Sequence, residues 1–102
     1  MEFRERRRHR RFPLREPATI FYNDGEPHEL AAHSRNVSLG GGLFGAAESV
    51  PGESVVQVQL ILQREDLGKI SLHGAGKVVR SETGADGEVT VAIEFDEKLS
   101  EA

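Results

Sequence analysis

The chain contains no cysteine, no tryptophan and no apolar run approaching the length of a bilayer span. The missing cysteines exclude disulfides and thiolate-ligated metals, and they fit a reducing compartment. No apolar stretch follows Met1, Glu2, Phe3, Arg4 and Glu5, so a signal peptide is not expected, and neither is membrane insertion. The sequence therefore reads as cytoplasmic. Aromatic residues are scarce as well: five Phe and one Tyr, mostly at positions suited to a core. A nucleic-acid-binding barrel would want exposed rings on which to stack bases, so DNA and RNA are not the expected partners.

What is present is unevenly distributed. Six arginines fall within the first eleven residues, opposed only by Glu2 and Glu5, and no lysine is among them. The remaining residues carry seven Lys or Arg against fifteen Asp or Glu, so the net charge of -4 hides a basic arm on an acidic body. A broad basic face is what displaces counterions along a polynucleotide, whereas a basic arm alone suits a compact anion.

At 102 residues the chain supports one domain. Residues 1–12 read as a flexible arm whose like charges repel. Pro13 and Pro17 discourage helix where the arm enters the body. Residues 18–22 and 28–33 read as a hairpin around Asn23, Asp24 and Gly25, and residues 42–46 as a third strand of a meander. Val56, Val58, Leu60 and Leu62 alternate with Gln57, Gln59, Ile61 and Gln63, and Val89, Val91, Ile93 and Phe95 repeat that pattern. Between them residues 70–80 make a strand ended by Arg80, with Gly74 and Gly76 expected at a bulge or sharp bend. The expected fold is all-β: a six-stranded antiparallel barrel over residues 13–102, with at most a short helix after Asp96.

Two features carry chemistry. The run Arg6, Arg7, Arg8, His9, Arg10, Arg11 is either a solvated charged tail or a clamp for phosphate and guanine, since guanidinium forks bind phosphate oxygens bidentately and read O6 and N7 of guanine. The segment Asn36, Val37, Ser38, Leu39, Gly40, Gly41 reads as a compact polar turn, structural in itself. It also matches a glycosylation acceptor by pattern, which the absence of secretion signals sets aside. His9, His28, His33 and His73 lack the paired spacing of a zinc site. No Ser-His-acid or paired-carboxylate arrangement is identifiable, Glu94 and Asp96 reading as a solvated strand end. Neither an enzyme nor a metal site is expected.

The two features together, in this order and followed by this strand pattern, resemble the PilZ family of small β-barrel receptors for the bacterial second messenger cyclic di-GMP. The family pattern is Arg-x-x-x-Arg, then Asp or Asn, x, Ser, x, x, Gly. The similarity extends to Gly76, Lys77, Val78, Val79, Arg80 and to Val91, Ala92, Ile93, Glu94, Phe95. The resemblance implies that Arg7 and Arg11 hold phosphates and guanine edges while Asn36, Ser38 and Gly41 form the barrel side of the pocket. Asn36 in place of the commoner Asp removes a charge-assisted acceptor.

Arg6 with Arg10 and Arg4 with Arg8 also fit the arginine spacing. Arg7 with Arg11 is preferred because Phe12, Pro13 and Leu14 follow as the family's arm joins its barrel. The extra Arg6 is associated in the family with an intercalated ligand dimer, which implies two ligands per chain. The expected function is a receptor that reorders its arm on binding and signals to an unidentified downstream protein. The alternative is an interaction adaptor independent of nucleotide. Arg80 is either a further ligand contact or a surface residue.

Overall fold

The computed structural model describes residues 15–64, 66, 68–96 and 98–101, so the arm lies outside the described residues. Seven strands follow one another: β1 (Pro17–Asn23), β2 (Pro27–Ser38), β3 (Gly41–Ala46), β4 (Val55–Arg64), β5 (Gly68–Thr83), β6 (Val89–Phe95) and β7 (Ser100–Glu101). No helix occurs among the described residues. The tail after Asp96 was expected to be helical at most briefly. Instead Ser100 and Glu101 pair with His73 and Leu72, because the edge of β5 beyond β6 offers open backbone groups.

Local sequence makes each strand. In β4, Val56, Val58 and Leu60 are buried and the intervening Gln57 is exposed, as the period of two requires. In β6, Val89, Val91, Ile93 and Phe95 enter the core. Phe44, Ile20, Val78 and Val91 are fully buried at its centre, each contributing about 1.5–3 kcal/mol by leaving water. The β1–β2 hairpin turns where Asn23 Oδ1 accepts from the Gly25 amide at 2.9 Å, with Gly25 at φ +112°. Beside that turn, His28 bonds Asp24 at 2.8 Å and holds its carboxyl below the usual range.

All pairings are antiparallel and run β4-β1-β2-β3-β6-β5, and a β4–β5 ladder closes the ring. The meander expected for the first three strands is present, but β3 then pairs with β6 rather than with its successor. Closure depends on β5, whose 16 residues serve two strands of the ring in turn: residues 68–77 lie against β4 and residues 76–83 against β6, with β7 added on its remaining edge. Gly76 is the point of transfer, opposite both Val56 and Phe95. A Cβ there would lie 2.2 Å from the Glu94 carbonyl oxygen and 2.8 Å from Phe95 Cα. Gly74 and Gly76 thus mark a corner of close approach, and the bulge expected with them lies further on, between Val78 and Arg80.

Candidate functional site

The polar motif is not one turn. Asn36 and Ser38 are the last residues of β2, Leu39 and Gly40 turn, and Gly41 opens β3. The Ser38 hydroxyl donates to the Gly41 carbonyl at 3.2 Å and accepts from the Gly40 amide at 3.3 Å. The turn is also fastened from the far side, since the Gly40 and Leu39 carbonyls accept from the amides of Phe95 and Leu99 at 3.0 and 3.3 Å. Gly41 is buried where a Cβ would come within 2.7 Å of the Ile93 carbonyl oxygen. Ser38 and Gly41 therefore have structural duties that are complete without any ligand. Ser38→Ala is expected to cost about 1 kcal/mol of stability, read as a lowered urea midpoint.

Two bulges align the neighbouring strands. One lies between Ser34 and Asn36 in β2 and the other between Val78 and Arg80 in β5. Beyond them Asn36 stands opposite Leu43, Leu43 opposite Ala92, and Ala92 opposite Arg80, a single row across β2, β3, β6 and β5. The row lies on the face opposite the core, because its neighbours Phe44, Val78, Val91 and Ile93 belong to the core cluster and Ala92, although only 8% exposed, does not. The adjacent row is Ser38, Gly41, Glu94 and Lys77. Three strand spacings put Asn36 and Arg80 about 14 Å apart at the backbone. Arg80 sits inside β5 rather than at its end, exposed, with Nε 3.4 Å from Glu82 Oε2. An exposed pair of that length holds it weakly.

Asn36 Oδ1 is buried and has no hydrogen-bond partner among the described residues. A buried acceptor left in that state costs about 1–3 kcal/mol, and an outer-face side chain bearing one suits a donor supplied from outside.

The root of the arm is anchored beside this face. The Glu16 carbonyl accepts from the Ser34 amide at 2.8 Å, and the Glu16 amide donates to Ser34 Oγ at 2.9 Å. Ser34 is two residues before Asn36 and 2% exposed. Arg6, Arg7 and Arg11 lie outside the described residues, but chain length bounds their reach from Glu16: about 17 Å for Arg11 and about 31 Å for Arg7. Both spans cover the row.

The structure thus gathers Asn36, Ser38, Gly41 and Arg80 on one face. Sequence reasoning missed Ser34, whose burial has no signature in a polar run, and Ala92, which is recognisable only once β3 is paired with β6. Glu94 and Asp96 are exposed, and among the described residues no group of His, Cys, Asp or Glu is placed to hold a metal.

A model of the PilZ domain matches residues 5–102, nearly the whole chain. Among solved structures, the fold is similar to that of the Bacillus subtilis inhibitor of motility MotI/DgrA, with a TM-score of 0.74 and 18% sequence identity. That similarity covers 92% of this chain and 44% of the other, so the chain spans less than half the length of this relative. No curated protein sequence matches it.

Proposed function

Because the chain belongs to the PilZ domain family, we propose that it is a cytoplasmic cyclic di-GMP receptor whose arginine arm closes over ligand seated on the Asn36–Arg80 face. The observation that carries this reading is the buried Asn36 Oδ1, without a partner among the described residues, on a face within reach of the arm. A guanine brings N–H donors to such an acceptor, and the phosphates bring charge to Arg7 and Arg11.

The short side chain of Ala92, between Leu43 and Arg80 in the row, leaves room for a flat base to approach the sheet there. Binding orders the arm and costs conformational entropy, which several charge-assisted contacts must exceed. Affinity in the micromolar range, roughly -8 kcal/mol, is the ordinary balance. The docked arm alters the surface that a downstream protein meets, which makes arm closure the switch.

Asn36→Ala tests the reading directly. Calorimetry is expected to show binding weakened by about tenfold or more, while the unliganded protein melts at or above the wild-type temperature because an unsatisfied acceptor has gone. Unchanged affinity would remove Asn36 from the site. If the wild-type protein takes up no cyclic di-GMP in the same titration, the nucleotide-independent adaptor is the better reading. For stoichiometry, Arg6→Leu is expected to shift two ligands per chain toward one, read from the calorimetric ratio.

A further inference from the structure

A second concavity lies next to the Asn36 face and is not used by the reading above. It is an open cleft of about 510 Å³, bordered by Arg15, Ala31, His33, Gly45, Asp86 and Glu88. His33 lies opposite Gly45, and its ring rests directly on that glycine: a Cβ at Gly45 would fall 2.5 Å from Nε2. The ring is largely buried, and Nε2 has no hydrogen-bond partner among the described residues. Glu88 Oε2 approaches it to only 3.6 Å, while Oε1 is bonded to Arg35.

Glu88 is held at both ends. Its backbone is fixed by the β5–β6 turn, where the Glu88 amide donates to Asp86 Oδ1 at 3.0 Å and the Glu88 carbonyl accepts from Gly84 at 2.8 Å. Arg35, the extra residue of the β2 bulge, fixes its carboxylate. The result is a pre-set acceptor beside an unsatisfied ring nitrogen. Charges around the cleft balance, Arg15 and Arg35 against Asp86 and Glu88, so a phosphate gains little there. A neutral group with N–H donors along one edge and acceptors along another suits it better.

We infer that this cleft is a guanine subsite taking the second base of the cyclic dinucleotide, with Glu88 reading N1–H and N2–H and His33 Nε2 meeting O6 or N7, an inference that rests on the cyclic di-GMP reading above. The match is chemical. A carboxylate accepts the two parallel donors of guanine, whereas adenine presents an acceptor at N1 and is rejected. The His33 tautomer that donates from Nε2 completes the contact. The placement agrees as well, because the bulge puts His33 and Asn36 on the same outer face of β2, opposite Gly45 and Leu43 and so about 7 Å apart along the strand. Two bases of one ligand, or of a stacked pair, then occupy neighbouring sites on one wall.

The test is a titration of isotopically labelled protein with cyclic di-GMP, with 5′-GMP and with 5′-AMP, following the amide signals of residues 33, 45, 87 and 88 separately from those of residues 36–41. Cyclic di-GMP is expected to move both sets, and 5′-GMP to move the cleft set far more than 5′-AMP does. Glu88→Gln is expected to abolish the preference for guanine and to weaken cyclic di-GMP binding about tenfold. Cyclic di-GMP moving residues 36–41 alone overturns the subsite and leaves the receptor reading standing. Guanine-selective shifts from 5′-GMP in the cleft, without any response to cyclic di-GMP, retain a guanine site there and sink the receptor reading. Equal responses to 5′-GMP and 5′-AMP overturn the subsite whichever way Glu88→Gln behaves, so the result does not depend on that variant folding.

Discussion

Arg7→Ala or Arg11→Ala is expected to abolish measurable cyclic di-GMP binding in calorimetry while the unliganded protein unfolds within about 2 °C of wild type. A hydrogen bond to a charged group is worth about 1.5–3 kcal/mol, and a bidentate guanidinium makes two of them. Losing about 3–6 kcal/mol from a binding free energy of roughly -8 kcal/mol moves a micromolar complex to about 0.2 mM at the least and to tens of millimolar at the most. Stability is spared for a different reason. The described core runs from Ala18 to Leu99 and lies wholly C-terminal to these arginines. Conservative replacement by lysine should recover only part of the affinity, because an ammonium is a point charge without the planar fork. Wild-type binding by both alanine variants would show that the arm is not the clamp.

Gly76→Ala is expected to have the largest effect on folding. The added methyl would meet the Glu94 carbonyl oxygen and Phe95 Cα, which are backbone atoms of β6 and cannot turn aside as a side chain would. Relief requires prising β5 from β6 at the residue where β5 passes between partners, and overpacking of this kind costs about 3 kcal/mol or more. For a domain of this size that is a fall in melting temperature of about 12–24 °C. Gly52→Ala is the control, since nothing lies within 4 Å of its Cβ position; it should change stability by less than about 0.5 kcal/mol. Should the two variants melt together, the strand crossing at Gly76 is not as tight as described. Cyclic di-GMP affinity in a folded Gly76→Ala protein would report whether the Asn36–Arg80 row depends on that corner.

Much of this was legible in the chain. The inward faces of β4 and β6 follow from a period of two, which a strand imposes on its own residues without reference to any neighbour. The hairpin at Asn23–Gly25 is likewise local chemistry. The motif at Asn36–Gly41 could be singled out from residue types and spacing, but its division into strand, turn and strand could not. Ser38 acts within the turn itself, through Gly40 and Gly41, but Gly41 is required by its approach to Ile93 on β6, a contact between residues far apart in sequence. The C-terminal residues show the same limit from the other side. They have no pattern of their own, and they become a strand only because β5 leaves an edge free beside them.

Arg80, Ala92 and Asn36 were three unrelated positions until the ring brought them into register. Composition, alternation and a pair of motifs were enough to determine an all-β domain of the PilZ family with a basic leading segment, because those properties are written in consecutive residues. Only tertiary structure decided that β3 meets β6, that two bulges set one outward row across four strands, and that Asn36 keeps a buried oxygen without a partner among the described residues. Each of these depends on which strand edges pair, and pairing is settled by closing the ring around a shared core rather than by any one strand's preference.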